Sequence, residues 1–264
     1  MIPGFGRGLP DAVIVRGIAG GTFEQVTVRL GILHALRELG VPVYNDARAI
    51  ERSVDKSMTT FLLHRAGIPT PATWVGESKP HAQRVVMREA AAGRKVVLKP
   101  LFGSQGKGLM RLGPDAGGCT PLPPLEAYGE LAYLQRFVEA DDAPGFDWRV
   151  LVVGGKAVCA MRRVSEHWVH NVAQGARCEA AVLTAPLARL AERASAALSL
   201  DYAAIDLVPC REAPEGAQVI EVNGVAAWRG LQTVTKFDIA ACIVDDLLTR
   251  KLPLSVLHRR VEVA

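Results

Sequence analysis

Hydrophobic residues recur every three to four positions along 23–40, FEQVTVRLGILHALRELG, and this spacing predicts an amphipathic helix closed by its terminal glycine. Short apolar runs flank it, DAVIVRG at 11–17 and VPVYN at 41–45, so the chain opens as a small β-α-β unit. From Asp55 the stretch DKSMTTFLLHRAGIPTP predicts a helix with Met58, Phe61, Leu62 and Leu63 as its apolar positions, ended by Gly67 and Pro69. ATWVG reads as a strand, and HAQRVVMREAAAGR as a helix that ends at Gly93 and leads into the strand KVVLKP. The Pro/Gly-rich segment 113–124 predicts a loop of low internal order. Strands then dominate: LAYLQRFV, DWRVLVVGGKAVCAMRRV, AAIDLVPC and AQVIEVN, with one helix, APLARLAERASAALSL, among them. FDIAACIVDDLLTR follows as a helix with Ile239, Ile243 and Leu247 on one face. With no internal repeat, the pattern predicts an α+β architecture in at least two lobes.

Turn chemistry then places charges. Gly154-Gly155 is a two-residue hairpin signal, and if Val153 pairs with Lys156 the register sets Asp147 opposite Arg162, with Arg149 on the face of Asp147. A cross-strand ion pair on a wet face accounts for those residues equally well. In the second hairpin, pairing Pro209 with Gln218 sets Asp206 opposite Glu221, and Asn223 shares the face of Glu221. Two carboxylates facing each other between apolar strands repel unless something positive lies between them. Two carboxylates and an amide, with no His or Cys beside them, suit a hard cation, Mg²⁺ or Mn²⁺. The alternative is two carboxylates on an exposed strand pair, against which Ile205, Leu207, Ile220 and Val222 argue, because they mark the other faces as buried.

The segment VVLKPLFGSQGKG, 96–108, carries a lysine at a strand edge and then a glycine-rich turn. It is not a P-loop, since Leu101 stands where the first glycine belongs and Gly108 follows Lys107. Nor is it a dinucleotide fingerprint, its glycines being spaced G-x-x-G-x-G with no capped helix behind them. Gly103, Ser104, Gly106 and Gly108 free the backbone to turn N–H groups toward an anion, while a plain turn between strands with solvated lysines stays open as the other reading.

Composition narrows the field. The 264 residues, 49% hydrophobic and 22% charged, describe a globular chain long enough for one large or several small units. No apolar run approaches the roughly 18–20 residues of a membrane span, and MIPGFGRGLP has no signal-peptide core, so a cytoplasmic location is expected. Five cysteines without a C-x-x-C pair argue against a disulfide framework or zinc site. A net charge of +4 without long basic runs suits acidic small molecules rather than nucleic acid.

Six ordered blocks, VDKSMTTFLLHRAGIPTPAT, VVLKPLFGSQGKGLMRL, LQRFV, DWRVLVVGGKAVCAMRR, AAIDLV and VIEVNGVAAWRGL, together resemble the ATP-grasp enzymes, and within them the RimK-like α-L-glutamate ligases. The resemblance implies an ATP-grasp fold in which two α+β lobes clamp ATP, 55–133 and 134–264, after a truncated N-terminal piece, 1–54. It implies that Lys56 and Lys99 contact the phosphates and that Gly103, Ser104, Gln105, Gly106 and Gly108 form a lid over them. Gln135, Arg136, Phe137 and Val138 would hold adenine through their backbone, with Asp147 near the ribose. Arg162 and Asn171 match positions at the phosphates and reacting acyl group, and Arg149 joins them as a catalytic candidate. Asp206, Glu221 and Asn223 match the ligands of Mg²⁺, with two ions expected. The implied chemistry is phosphorylation of a carboxylate by ATP and displacement of phosphate by an amine, commonly that of L-glutamate, on a glutamate-bearing small molecule such as a pterin or deazaflavin, or on a peptide end.

Three features depart from the family pattern. The N-terminal domain is shorter, Arg136 stands where the hinge normally has Glu, and WVHNVAQGA and NGVAAWRG replace the usual segments near the acceptor. Trp168, His170, Trp228 and Arg229 are therefore the substrate candidates. The apolar helix over 26–39 has little chain to cover it, and a homodimer or larger homo-oligomer is expected. Competing readings are a ligase acting on an aromatic amine or carrier tail, and a nucleotide-binding regulatory subunit without ligase activity.

Overall fold

The computed structural model describes residues 8–139 and 143–252. The chain opens with β1 (Val13–Ile14), α1 (Phe23–Glu38) and β2 (Val43–Tyr44), whose strands pair in parallel, so the opening β-α-β unit forms as its sequence pattern predicts. Thr22 and Gln25 make a capping box at the start of α1, and Leu30, Leu33 and Leu36 bury its inner face. α2 (Ala47–Val54), which the periodicity does not announce, leads into α3 (Lys56–Arg65). Asp55 caps α3 by accepting from the N–H groups of Ser57 and Met58.

The small lobe is a five-stranded antiparallel sheet formed by β3 (Thr73–Gly76), β4 (Val96–Lys99), β5 (Met110–Asp115), β6 (Gly118–Thr120) and β7 (Ala132–Arg136), in the order β3-β7-β4-β5-β6. α4 (Lys79–Ala91) covers one face, burying Val85 and Val86 against Val96, Leu98, Leu112 and Leu134. The period-two alternation therefore turns Val97, Lys99 and Gln135 to the other face, which lines a cleft. Part of the segment expected to be a loop, 113–124, is instead ordered by pairing of β5 with β6. β7 pairs along its whole length with β3 and β4, so the small sheet runs past the 133/134 boundary expected from the sequence.

The large lobe holds β8 (Gly145–Val153), β9 (Lys156–Ser165), β10 (Arg177–Ala180), β11 (Tyr202–Pro209) and β12 (Ala217–Asn223) in the order β10-β9-β8-β11-β12. α5 (Ala185–Leu198) packs Leu190, Ala191 and Ala194 against Val150, Val152, Ile205 and Leu207 on one face of this sheet. Leu62 and Leu63 of α3 join that core, tying Lys56 to the large lobe although it precedes the small one. On the opposite face, α6 (Arg229–Gln232) and α7 (Ile239–Arg250) follow β12, and Leu231, Ile239, Ile243 and Leu247 cover Leu151, Met161 and Ala204. The N-terminal unit docks on that same face. Tyr44 stacks on Tyr202 and its hydroxyl donates to Asp246, while the Asn45 amide donates to the carbonyls of Tyr202 (2.7 Å) and Gly224 (2.6 Å).

The β8–β9 hairpin departs from the expected register. Val153 does pair with Lys156, but a bulge between Leu151 and Val152 shifts everything beyond it by one residue, so Asp147 pairs with Arg163 and not with Arg162. Because side chains alternate faces, one inserted residue exchanges which arginine looks into the cleft. A bulge also interrupts β11–β12: Pro209 pairs with Ala217 instead of Gln218, and a shift between Asp206 and Leu207 restores the expected pairing of Asp206 with Glu221. Among the described residues, no helix is long and apolar enough to cross a membrane.

Candidate active site

The two sheets face each other across a cleft of about 610 Å³. From the small-lobe side, Lys99 sits at the end of β4 with its Nζ donating to Gln135 Oε1 at 2.6 Å. Burial without a contacting carboxylate pushes this ammonium down to about 8, with the more distant Glu221 and Asp206 opposing the shift and the Lys56 charge adding to it. Lys56 lies in the first turn of α3, where a cation opposes the helix dipole, so helix stability does not explain it. Its Nζ instead donates to the Gly103 carbonyl at 2.7 Å and lies 3.7 Å from Glu221 Oε1.

The glycine loop leans across the cleft onto the large lobe. Gly106 has φ +70, and a Cβ there would lie 2.7 Å from Asn171 Oδ1 and 2.8 Å from Val169 Cγ1, so only glycine allows this approach. Gln174 Nε2 donates to the Gln105 carbonyl at 3.1 Å, fixing the loop tip to the segment around Asn171. Gly103, Ser104, Gln105, Gly106, His170 and Asn171 all line the cleft.

On the large-lobe wall, the charges are already paired. Arg163 grips Asp147 through Nε (2.7 Å) and Nη2 (2.6 Å) and reaches Asp206 at 3.0 Å. Arg149 holds both oxygens of Asp206 at 2.7 Å. Burial pushes the Asp147 carboxyl up against the pull of Arg163, with the Asp206 charge adding to the rise. Burial acts the same way on Asp206, but Arg149 and Arg163 outweigh it and hold that carboxyl below its ordinary range. The His170 ring is driven down to about 4, first by burial and then by the Arg163 charge, so it is neutral at pH 7.

Asn223 spends its amide nitrogen on the Ala204 carbonyl and on Asp206 Oδ2, both at 3.4 Å, which leaves its oxygen available. Among the described residues no three His, Cys, Asp or Glu side chains gather as a metal cluster, so a cation here would draw on Asp206, Glu221 and the Asn223 oxygen. The donor chemistry of these three residues suits Mg²⁺, which completes its shell with water and phosphate, and in this structure Arg149 and Arg163 hold the Asp206 oxygens that would share in it.

At the hinge, Arg136 lines the cleft while its guanidinium pairs with Glu89 (2.9 Å), and the Phe137 N–H is taken by the Lys95 carbonyl (2.9 Å). The Phe137 ring meets Trp168 edge-on at 5.8 Å, and the Arg111 guanidinium lies over both rings. Val138 lines the cleft beside them.

Arg149 and Asn223 adjoin the cleft through Asp206, and four of the sequence candidates lie elsewhere, among them Gly108, whose carbonyl accepts from the Tyr128 hydroxyl at 3.0 Å outside the cleft lining. Arg162 points to the other face of the sheet, where it pairs with Glu179 at 2.7 Å and does not line the cleft, a direct consequence of the β8–β9 bulge. Trp228 and Arg229 line a separate depression together with Arg16. Conversely, Arg163 and Arg111 enter the cleft without having been singled out in the sequence. An MRR triplet cannot reveal which arginine turns inward, and Arg111 carries no motif.

A cleft between two α+β lobes, with a glycine-rich loop on one and an acidic hairpin on the other, is the arrangement of the ATP-grasp class of ligases. Within that class the chain belongs to the RimK family: the RimK-like ATP-grasp domain matches residues 53–247. A tetrahydromethanopterin:alpha-L-glutamate ligase of Methanosarcina acetivorans is 33% identical over 249 residues, covering 84% of this chain and 74% of that protein. A probable alpha-L-glutamate ligase of Legionella pneumophila is 28% identical, covering 94% of this chain and 80% of the other. Among solved structures, the ATP-grasp ligase PsnB complexed with a minimal precursor superposes with a TM-score of 0.66 at 23% identity, covering 90% of this chain and 78% of that one, which bears on the fold alone.

Proposed function

We propose that the chain is an ATP- and Mg²⁺-dependent carboxylate–amine ligase that adds L-glutamate to a glutamate-bearing pterin. The observation that carries this reading is the 33% identity to tetrahydromethanopterin:alpha-L-glutamate ligase over most of both chains, together with an intact cleft. Lys99 and Lys56 bind the phosphates, and the loop around Gly106 covers them and excludes water. Asp206, Glu221 and the Asn223 oxygen would hold Mg²⁺, which would supply neutralising charge for phosphoryl transfer. The acceptor carboxylate attacks the γ-phosphorus, ADP leaves, and the resulting acyl phosphate is opened by the glutamate amine with release of phosphate and a proton. Arg149 and Arg163 supply positive charge where the acyl oxygen and departing phosphate become negative, and Asn171 supports the lid and faces the reacting end. His170, 3.9 Å from Asp147 and driven down to about 4, stays neutral at pH 7 and serves as a hydrogen-bonding group rather than as the base that takes the amine's proton. Phe137, Trp168 and Arg111 provide a cationic-aromatic corner for adenine beside Val138.

Two bound Mg²⁺ ions and a cytoplasmic location belong to this reading. The exposed apolar stripe of Val28 and Ile32 on α1, continued by Leu39 at its C-terminal cap, supports a homodimer, for which a monomer mass by light scattering is the contrary result. The test of function is ADP release with Mg²⁺-ATP, L-glutamate and a panel of pterins, deazaflavins and acidic peptides, with product masses, alongside Glu221→Ala. A glutamate-sized mass gain on a pterin, lost in the variant, is expected. Turnover only on peptides or amines overturns the pterin assignment, and ATP binding without any product favours a regulatory subunit.

A further inference from the structure

Outside the cleft, a depression of about 460 Å³ lies between the loop after β1 and the start of α6, lined by Arg16, Ala227, Trp228, Arg229, Gln232 and Thr233. It contains two arginines and no acidic side chain. The Arg16 guanidinium lies 3.4 Å from the centroid of the Trp228 ring, and its Nη1 donates to the Tyr202 hydroxyl (3.1 Å) and the Ala226 carbonyl (3.2 Å). A guanidinium has five N–H groups, so after these two bonds the rest remain to bind a ligand, on a side chain whose rotamer is already set. The Trp228 ring is itself held edge-on by Tyr202 at 6.1 Å. Arg229 has no ion pair or hydrogen bond among the described residues, although it stands at the rim of this cationic depression.

The location joins this feature to the reaction. Trp228 follows Asn223 by five residues along the chain leaving β12. A Cβ on Gly230 would lie 3.7 Å from Val172, the neighbour of the cleft residue Asn171. The depression and the cleft nevertheless share no lining residue, so a ligand that reaches both must be longer than an amino acid.

We propose that the Arg16–Trp228–Arg229 depression is a subsite for a carboxylate on the arm of the acceptor, several bonds away from the carboxyl group that is activated; this rests on the ligase reading above. Arg16 supplies preorganised, charge-assisted hydrogen bonds, Arg229 closes over the same anion, and Trp228 is the shelf that keeps Arg16 in place. The subsite selects acceptors that carry more than one carboxylate and leaves the amine donor untouched.

The experiment is calorimetric binding of triglutamate and of free glutamate to the full chain and to the Arg229→Ala and Arg16→Gln variants, paired with acceptor KM measured at saturating ATP and glutamate. Arg229 is exposed and its side chain makes no ion pair or hydrogen bond among the described residues, so Arg229→Ala keeps the test valid if Arg16→Gln folds poorly. Each variant is expected to weaken triglutamate binding about tenfold, in keeping with loss of a charge-assisted hydrogen bond, and to raise acceptor KM similarly with a smaller effect on kcat. Free glutamate binding should not change. Unaltered triglutamate affinity in both variants, or an equal loss for free glutamate, overturns the subsite even where the wild-type chain turns over. Triglutamate binding that depends on both arginines, without turnover on any acceptor, retains the subsite and rejects the ligase.

Discussion

The two walls of the cleft are built on opposite electrostatic plans. On the small-lobe wall Lys99 meets an amide oxygen and no carboxylate, and burial lowers its pKa to about 8. On the large-lobe wall Arg149 and Arg163 are already clasped by Asp206 and Asp147 at 2.6–3.0 Å. A cation left without a counter-charge is a standing demand for an anionic ligand, and it costs stability until that ligand arrives. A paired network contributes to the fold and keeps its charges at fixed positions, at the risk that losing one member strands the others. Lys99 should therefore matter to binding and little to stability, and the buried arginines to both.

Arg163→Ala tests this most severely, because it leaves Asp147 and Asp206 short of a partner inside the sheet. A loss of about 3–5 kcal/mol in unfolding free energy is expected alongside lost activity. A melting temperature equal to wild type would mean the network does not hold the sheet together. Lys99→Met should cut ligase turnover by roughly two to three orders of magnitude, as removal of a phosphate-binding cation does, without lowering the melting temperature. Its stability has a defined pH dependence. The Lys99 pKa falls from the ordinary 10.5 to about 8 on folding, so the cost of the buried cation is fully present below about pH 8 and relieved as pH rises toward 10.5. Any stability advantage of Lys99→Met at pH 7 should thus shrink across that window, and an advantage independent of pH would show that burial of the charge is not its source. In the wild type, KM for ATP should climb above about pH 8 as the ammonium is lost.

Smaller effects probe the contact between the walls. Gly106→Ala places a Cβ at 2.7 Å from Asn171 Oδ1 at a positive φ, so it should disfavour the closed lid by about 1–3 kcal/mol. A KM for ATP raised several-fold, with little change in melting temperature, is the expected signature; unchanged ATP kinetics would show that the loop works in another position. Arg162→Ala is the mildest change. Its pair with Glu179 is partly exposed on both sides, so stability should move by less than about 1 kcal/mol and activity by less than about threefold. An activity loss rivalling that of Arg163→Ala would return Arg162 to the reacting centre.

The same two walls differ in how much of them the sequence discloses. On the small-lobe wall simple alternation in VVLK and YLQR assigns Val96 and Leu98 to the core and Lys99 and Gln135 to the cleft, because no irregularity breaks the period. On the large-lobe wall the pairing of Asp206 with Glu221 is legible, yet its register is right only beyond a bulge that the residues do not announce. In β8–β9 the same kind of irregularity defeats the count and replaces Arg162 by Arg163. Bulges arise from how a sheet twists against what covers it, here α5 on one face and α7 with the N-terminal unit on the other, and not from local propensity.

What the sequence alone determined is the set of periodic elements, the glycine loop with its lysine, the acidic hairpin with its amide, and the family these motifs resemble. Each of those depends on neighbours within a few residues or on the order of motifs along the chain. Tertiary structure alone decided which of two adjacent arginines enters the cleft, that the glycine loop rests against Asn171, and that Arg16 meets Trp228 across 212 positions of chain. Those outcomes come from long-range packing, where a single inserted residue or the docking of one unit on another reverses the direction of a side chain without leaving a local trace in the sequence.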